Sequence, residues 1–174
     1  DYHKSLIIGI DCSGESFSVA LVQDGRCLAE RGGFSPRSHL CRLFPSIKGA
    51  LEEIGASFKD VGAVAVTIGP GSFTGLRLGI VTARTIAQTI GCALVGVNTL
   101  EALAAAHPGC SCLLAGLDAR RGEIFASFFP VNLPNFYIQI IIAYIIPPNM
   151  NQMLTIRCRS AARAFAVKVL CEFF

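Results

Sequence analysis

A mixed β-sheet covered by helices is the fold class this sequence predicts, an α/β architecture laid out once in full and begun a second time. Three observations predict it. The first 34 residues read as a three-stranded meander, the stretch after them alternates helical and strand patterns, and the opening strand returns far along the chain.

The elements follow in order. Leu6 to Asp11, "LIIGID", is a short β-branched run. "ESFSVALV" then alternates, and an Asp-Gly turn at Asp24 opens a third strand. From Ser38 to Ile54 the apolar residues Leu40, Leu43, Ile47, Leu51 and Ile54 keep helical spacing, with Pro45 either kinking that helix or marking its first regular turn. "VGAVAVTIG" reads as a buried strand, Thr74 to Ile90 as a helix, "CALVGV" as a strand, and "NTLEALAAAH" as a helix capped by Asn98 or Thr99. "LIIGID" returns as "LLAGLD" at Leu113 to Asp118, an offset of 107 residues, and Gly-Glu follows both copies. A duplicated architecture is expected, with a first lobe over residues 1–108 and a partial second lobe over 109–174 that is short or truncated. The composition breaks near residue 130: all 17 glycines lie at or before Gly122, and Glu172 is the only acidic residue after Glu123. "YIQIIIAYII" is too short to cross a bilayer as a helix, and "RSAARAFAVKVL" has helical spacing.

A chain of 174 residues, 52% apolar, can build one full core and part of another. A net charge of +3 from scattered Lys and Arg lacks the basic run of a nucleic-acid binder. Eight cysteines without a C-x-x-C pair fit buried thiols in a reducing compartment, and even the close pair Cys110 and Cys112 gives little reason to expect a metal. The polar opening "DYHKS" and the short run after it do not read as a signal peptide, so the expected location is the cytoplasm, without membrane attachment.

The segment Gly69, Pro70, Gly71, Ser72, Phe73, Thr74, Gly75, ending in Leu76-Arg77, joins a strand to a helix and invites a phosphate. Its spacing matches neither familiar phosphate loop. Five residues separate Gly69 from Gly75 with no lysine after them, and Gly69, Gly71 and Gly75 make G-x-G-x-x-x-G. The alternative is a tight turn that launches a helix capped by Ser72 or Thr74. On that helix Gly75, Gly79, Ala83 and Ala87 form a four-residue ridge without bulk, while Leu76, Ile80, Ile86 and Ile90 supply an apolar stripe for the core. Two usable faces favour docking, so the ridge is expected to meet another chain.

A catalytic set cannot be assembled. His3, His39 and His107 lack metal spacing, and Ser72 sits in G-S-F-T-G rather than G-x-S-x-G. Asp11 and Ser13, at the end of the first strand, and Asp118, Arg120 and Arg121, in the echoed turn, are the candidate cleft or nucleotide residues.

"GIDCSGESFSVALVQDG", "VAVTIGPGSFTGLRLGIVTARTIA", "GVNTLEALA" and "LDARRGEIFASFF" together resemble the bacterial TsaB family, formerly called YeaZ, over roughly Leu6 to Phe129. The resemblance implies an actin-like, sugar-kinase-like (ribonuclease H-like) lobe, duplicated. It also implies a non-catalytic scaffold in the synthesis of N6-threonylcarbamoyladenosine at position 37 of ANN-decoding tRNAs. The implied partners are the catalytic subunit TsaD and the ATPase TsaE, with tRNA met indirectly; a homodimer is the other pairing. ATP and a metal ion then belong to the partner subunits, and none to this chain. The partner face is expected to take in Gly75, Gly79, Ala83 and Ala87 with His39, Leu43 and Ile47 of the first long helix. His39-Leu40 stands where the family usually reads His-Ser, and nothing after Phe129 resembles it. The alternative function is an ATP-binding enzyme of the actin and sugar-kinase class.

Overall fold

The computed structural model describes residues 6–34, 39–106, 112–120, 123–130 and 144–145. Three antiparallel strands come first: β1 (Leu6–Asp11), β2 (Ser16–Gln23) and β3 (Arg26–Phe34). The β2–β3 turn has positive φ at both Asp24 (50°) and Gly25 (73°), the twist that a two-residue hairpin needs. Helix α1 (His39–Glu53) runs through Pro45, which lies on its exposed side while Leu43, Ile47, Ala50 and Leu51 face inward.

Strand β4 (Val61–Gly69) joins β1 in parallel, helix α2 (Phe73–Ile90) crosses back, and β5 (Ala93–Asn98) pairs in parallel with β4. Gly91 ends α2 at φ 67°, its N–H donating to the Ala87 carbonyl, as a left-handed cap requires. Helix α3 (Thr99–Ala105) starts at Asn98, whose side-chain oxygen accepts from the N–H groups of Leu100 (2.9 Å) and Glu101 (3.4 Å). The sheet order is β3-β2-β1-β4-β5. Within this sheet β1 has an antiparallel neighbour on one side and a parallel one on the other, so the chain's direction switches at its end.

Alternation on the strands divides the core. Ile8, Ile10, Val19, Leu21, Val64 and Val66 pack with α1 and α2 on one face. On the other, Ile7, Ala65 and Val97 pack with Ala102 of α3. A second sheet begins at Cys112, with β6 (Cys112–Arg120), β7 (Glu123–Pro130) and β8 (Tyr144–Ile145) antiparallel in that order. The repeated "LIIGID" and "LLAGLD" therefore fall on the strand that opens each sheet and pairs with the strand after it. His3, His107, Cys110, Arg121, most of the apolar block at 137–146 and the tail helix expected at 159–170 lie outside the described residues.

Candidate functional site

Asp11 ends β1 at the switch point and is nearly buried. Its Oδ1 accepts two hydrogen bonds, from the Ser13 backbone N–H and from the Thr67 hydroxyl, each at 2.9 Å. The first closes a turn on the residue two ahead, and the second ties β1 to β4. Asp11 therefore fixes the path the chain takes as it leaves the sheet.

The glycine loop closes on that same turn. The Ser72 N–H donates to the Ser13 carbonyl at 2.7 Å. Gly71, at φ 156°, brings its backbone so near that a Cβ there would stand 2.5 Å from the Ser13 carbonyl oxygen. A Cβ on Gly75 would run into the Cys12 carbonyl oxygen. Ser72 also caps α2, its Oγ accepting from the Gly75 N–H at 3.4 Å. Gly71 and Gly75 are thus explained by the close passage of the chain's own Cys12–Ser13 backbone, Gly69 by its positive φ of 116°, and two of the N–H groups that open α2 already have acceptors. Cys12, fully buried beneath the helix, has its thiol pushed up to about 12, first by burial and then by the neighbouring Asp11 charge. A thiol so held stays protonated and is a poor nucleophile at neutral pH.

Helix α2 shows two rows at four-residue spacing. Gly75, Gly79, Ala83 and Ala87 are all buried, and a Cβ on Gly79 would meet Cys12 at 3.4 Å and Val66 at 3.5 Å. The expectation that this ridge faces another chain is corrected: it lies on the protein's own sheet, because the end of β1 takes the space that its small side chains leave open. Leu43 and Ile47 are corrected with it, being core residues 1% and 0% exposed. His39 opens α1, but its side chain is not among those described. The other row, Phe73, Arg77, Val81, Thr85 and Thr89, is exposed throughout. Phe73 and Val81 are 73% and 62% exposed, and the Arg77 guanidinium lies 5.4 Å from the centre of the Phe73 ring. The hydroxyls of Thr85 and Thr89 turn inward, donating to the Val81 and Thr85 carbonyls.

Among the remaining candidates, Gly69, Pro70, Gly71 and Ser72 are half-buried in the loop, and Thr74 is exposed at the helix start. Ser13 is buried beside Asp11. Asp118 is exposed on β6, Arg120 ends that strand, and Arg121 is outside the described residues. Sequence reasoning missed Thr67, whose signal is a lone hydroxyl at the end of an apolar strand, and it missed Val81 and Arg84 on the outer side of α2. Among the described residues, no group of three or more His, Cys, Asp or Glu is placed to hold a metal, and no helix is long and apolar enough to cross a membrane.

Residues 19–131 match the family model described as TsaD: tRNA N6-adenosine threonylcarbamoyltransferase. The tRNA threonylcarbamoyladenosine biosynthesis protein TsaB of Escherichia coli (strain K12) is 38% identical over 122 residues, which is 68% of this chain and 52% of that protein. Its counterpart in Bacillus subtilis (strain 168) is 30% identical over 124 residues, 71% of this chain and 54% of that one. The structure of YeaZ from Pseudomonas aeruginosa superposes with a TM-score of 0.68 at 30% identity, over 83% of this chain and 68% of that one. The chain belongs to the TsaB (YeaZ) family. Its five-stranded sheet has the order β3-β2-β1-β4-β5, and the chain spans about half the length of the curated TsaB relatives it matches.

Proposed function

We propose that this chain is a non-catalytic scaffold in the synthesis of tRNA N6-threonylcarbamoyladenosine, binding and supporting a TsaD-type catalytic subunit in the cytoplasm. The observation that carries the reading is its similarity to proteins named for that biosynthesis, at 38% identity for the first of them. The site agrees with it. Asp11 is spent on a backbone turn and the Thr67 hydroxyl, and the glycine loop is closed on the chain's own carbonyls. ATP, a metal ion and the TsaE-type ATPase belong on this reading to the assembled complex, and tRNA is met through the partner. The two sheets are taken as a whole first lobe and the beginning of a second.

The test is complementation. A bacterium depleted of its own TsaB should recover threonylcarbamoylated tRNA, read by nucleoside mass spectrometry, when this chain is supplied, and a tagged chain should co-purify with TsaD. Failure to restore the nucleoside together with failure to retain TsaD would sink the reading. Turnover of ATP by the isolated chain would support an enzyme of the sugar-kinase class instead.

A further inference from the structure

The five-stranded sheet has two unlike edges. Strand β3 forms one, nine residues long, with Arg26, Glu30 and Arg31 all exposed along it. Charges set beside the free N–H and C=O groups of an edge keep other strands off it. Strand β5 forms the other, and its sequence, Ala-Leu-Val-Gly-Val-Asn, has neither a charge nor a proline. Among the described residues no strand lies on its outer side, and Ala93, Leu94 and Gly96 are exposed. The helical cover also stops short of it. Leu94 lies in register with Val64, and Gly96 with Val66. Both valines are buried in the core that α2 covers, at 0% and 2%, whereas Leu94 is 44% exposed. Ile68, exposed in its turn, reaches over Gly96, where a Cβ would stand 2.8 Å from its Cγ2. An apolar strip of Leu94 and Ile68 thus runs beside an unguarded row of backbone donors and acceptors.

We propose that β5 is the seam of a symmetric dimer, in which the β5 strands of two copies pair antiparallel about a two-fold axis at Val95 and join the two sheets into one. The strand is complementary to itself in this register. Residues opposed across an antiparallel pair share one side of the sheet. About Val95, Leu94 falls opposite Gly96 of the second copy and Ala93 opposite its Val97. Leu94 then lies over the glycine and against the Ile68 that reaches across it, and the axis repeats that contact. No charge meets another along the seam, because β5 has none. The pairing also closes on itself: both outer edges of the joined sheet are β3, the charged one. An unrelated extended segment finds the same backbone groups on β5, but the fit of Leu94 to Gly96 and the closure at two copies belong to self-pairing.

Sedimentation velocity of the full chain over a range of concentrations reads the assembly state, with amide hydrogen exchange beside it. Wild type should pass from monomer to dimer, and the β5 amides that point away from β4 should gain protection as it does. Leu94→Lys sets a charge into an apolar seam and should weaken the dimer roughly tenfold or more. Leu28→Lys, at a β3 position of nearly equal exposure (43%), should leave it unchanged. Each variant is first matched to wild type by its melting curve at a concentration where wild type is monomeric; if Leu94→Lys melts early, Leu94→Gln takes its place and should show a smaller loss in the same direction. A chain that stays monomeric at every concentration overturns the inference. So does a dimer that the Leu94 substitution leaves intact, or one whose β5 amides exchange as in the monomer, since the seam is then elsewhere. Assemblies that grow beyond two copies overturn it as well, because the charged β3 edges would then be joining. None of these outcomes bears on the scaffold function, which complementation decides separately.

Discussion

The two rows of α2 differ by only two residues of register, yet they live in opposite worlds. Gly75, Gly79, Ala83 and Ala87 are buried against β1 and β4, whereas Phe73, Arg77, Val81, Thr85 and Thr89 are exposed. On a helix turning about 100° per residue, a shift of two carries a side chain to the far side. The comparison separates two kinds of information that look alike in a sequence. A row of small residues says that something comes close, and a row of mixed apolar and cationic residues says that the surface is left for something else. Neither states its partner.

The inner row should be the fragile one, and Gly75 its most sensitive point. A methyl group there runs into the Cys12 carbonyl oxygen, which belongs to a backbone held by Asp11, Thr67 and Ser72. Gly75→Ala should cost about 3 kcal/mol or more, at the upper end of overpacking. Alanine's advantage as a helix former, about 1 kcal/mol, offsets only part of that. Urea unfolding reads the result directly. A Gly75→Ala chain as stable as wild type would mean that the inner row is not packed as described.

Gly79 distinguishes contact from collision. A Cβ there meets Cys12 and Val66 at ordinary van der Waals distances, so Gly79→Ala should be neutral or slightly stabilising. Gly79→Leu must place three further carbons between α2 and the sheet, and should cost about 1–3 kcal/mol. Equal midpoints for the leucine and alanine variants would place this residue on an open face.

Cys12 adds a pH test of the same packing. Its thiol ionises near 9 in the unfolded chain and is pushed up to about 12 in the folded one. The folded state therefore holds a proton that the unfolded state has released, and between those values stability falls as pH rises. Below about pH 9 the contribution is fully present. Wild type should lose stability relative to Cys12→Ala as the pH is raised through this window, and at pH 8 an alkylating reagent should take the exposed Cys41 well before Cys12. Parallel pH profiles for the two chains would refute the burial of this thiol under Gly79.

Much of the fold was legible because local chemistry spells it out: Asp24-Gly25 makes a hairpin, Ser72 and Asn98 start helices, and Gly91 stops one. The glycine loop was legible as a turn before a helix. What it encloses was not, because Thr67 and Asp11 meet across 56 residues of sequence and the passage of Cys12–Ser13 under the helix exists only once β1 lies beside β4. The same non-local packing reversed the reading of the ridge. Four-residue periodicity fixed which residues share a face, but the face's orientation depends on where the sheet is, and no spacing within α2 carries that.

A reciprocal pair of substitutions isolates this orientation with the least disturbance. Val81 and Ala83 are two residues apart, one 62% and the other 0% exposed. Ala83→Val adds two methyl groups where the helix is already seated on the sheet, and it also lowers helix propensity, so both effects act against folding. Val81→Ala removes the same two groups from a solvent-facing position, where little burial is lost and alanine is the better helix former by roughly half a kcal/mol. The isolated Val81→Ala chain should thus be as stable as wild type or gain that small amount. Chemical denaturation of the two variants under one set of conditions gives the answer as a difference, in which errors of extrapolation largely cancel. If Val81→Ala destabilises more than Ala83→Val, the helix is rotated by half a turn from the position described, and the small residues face outward after all.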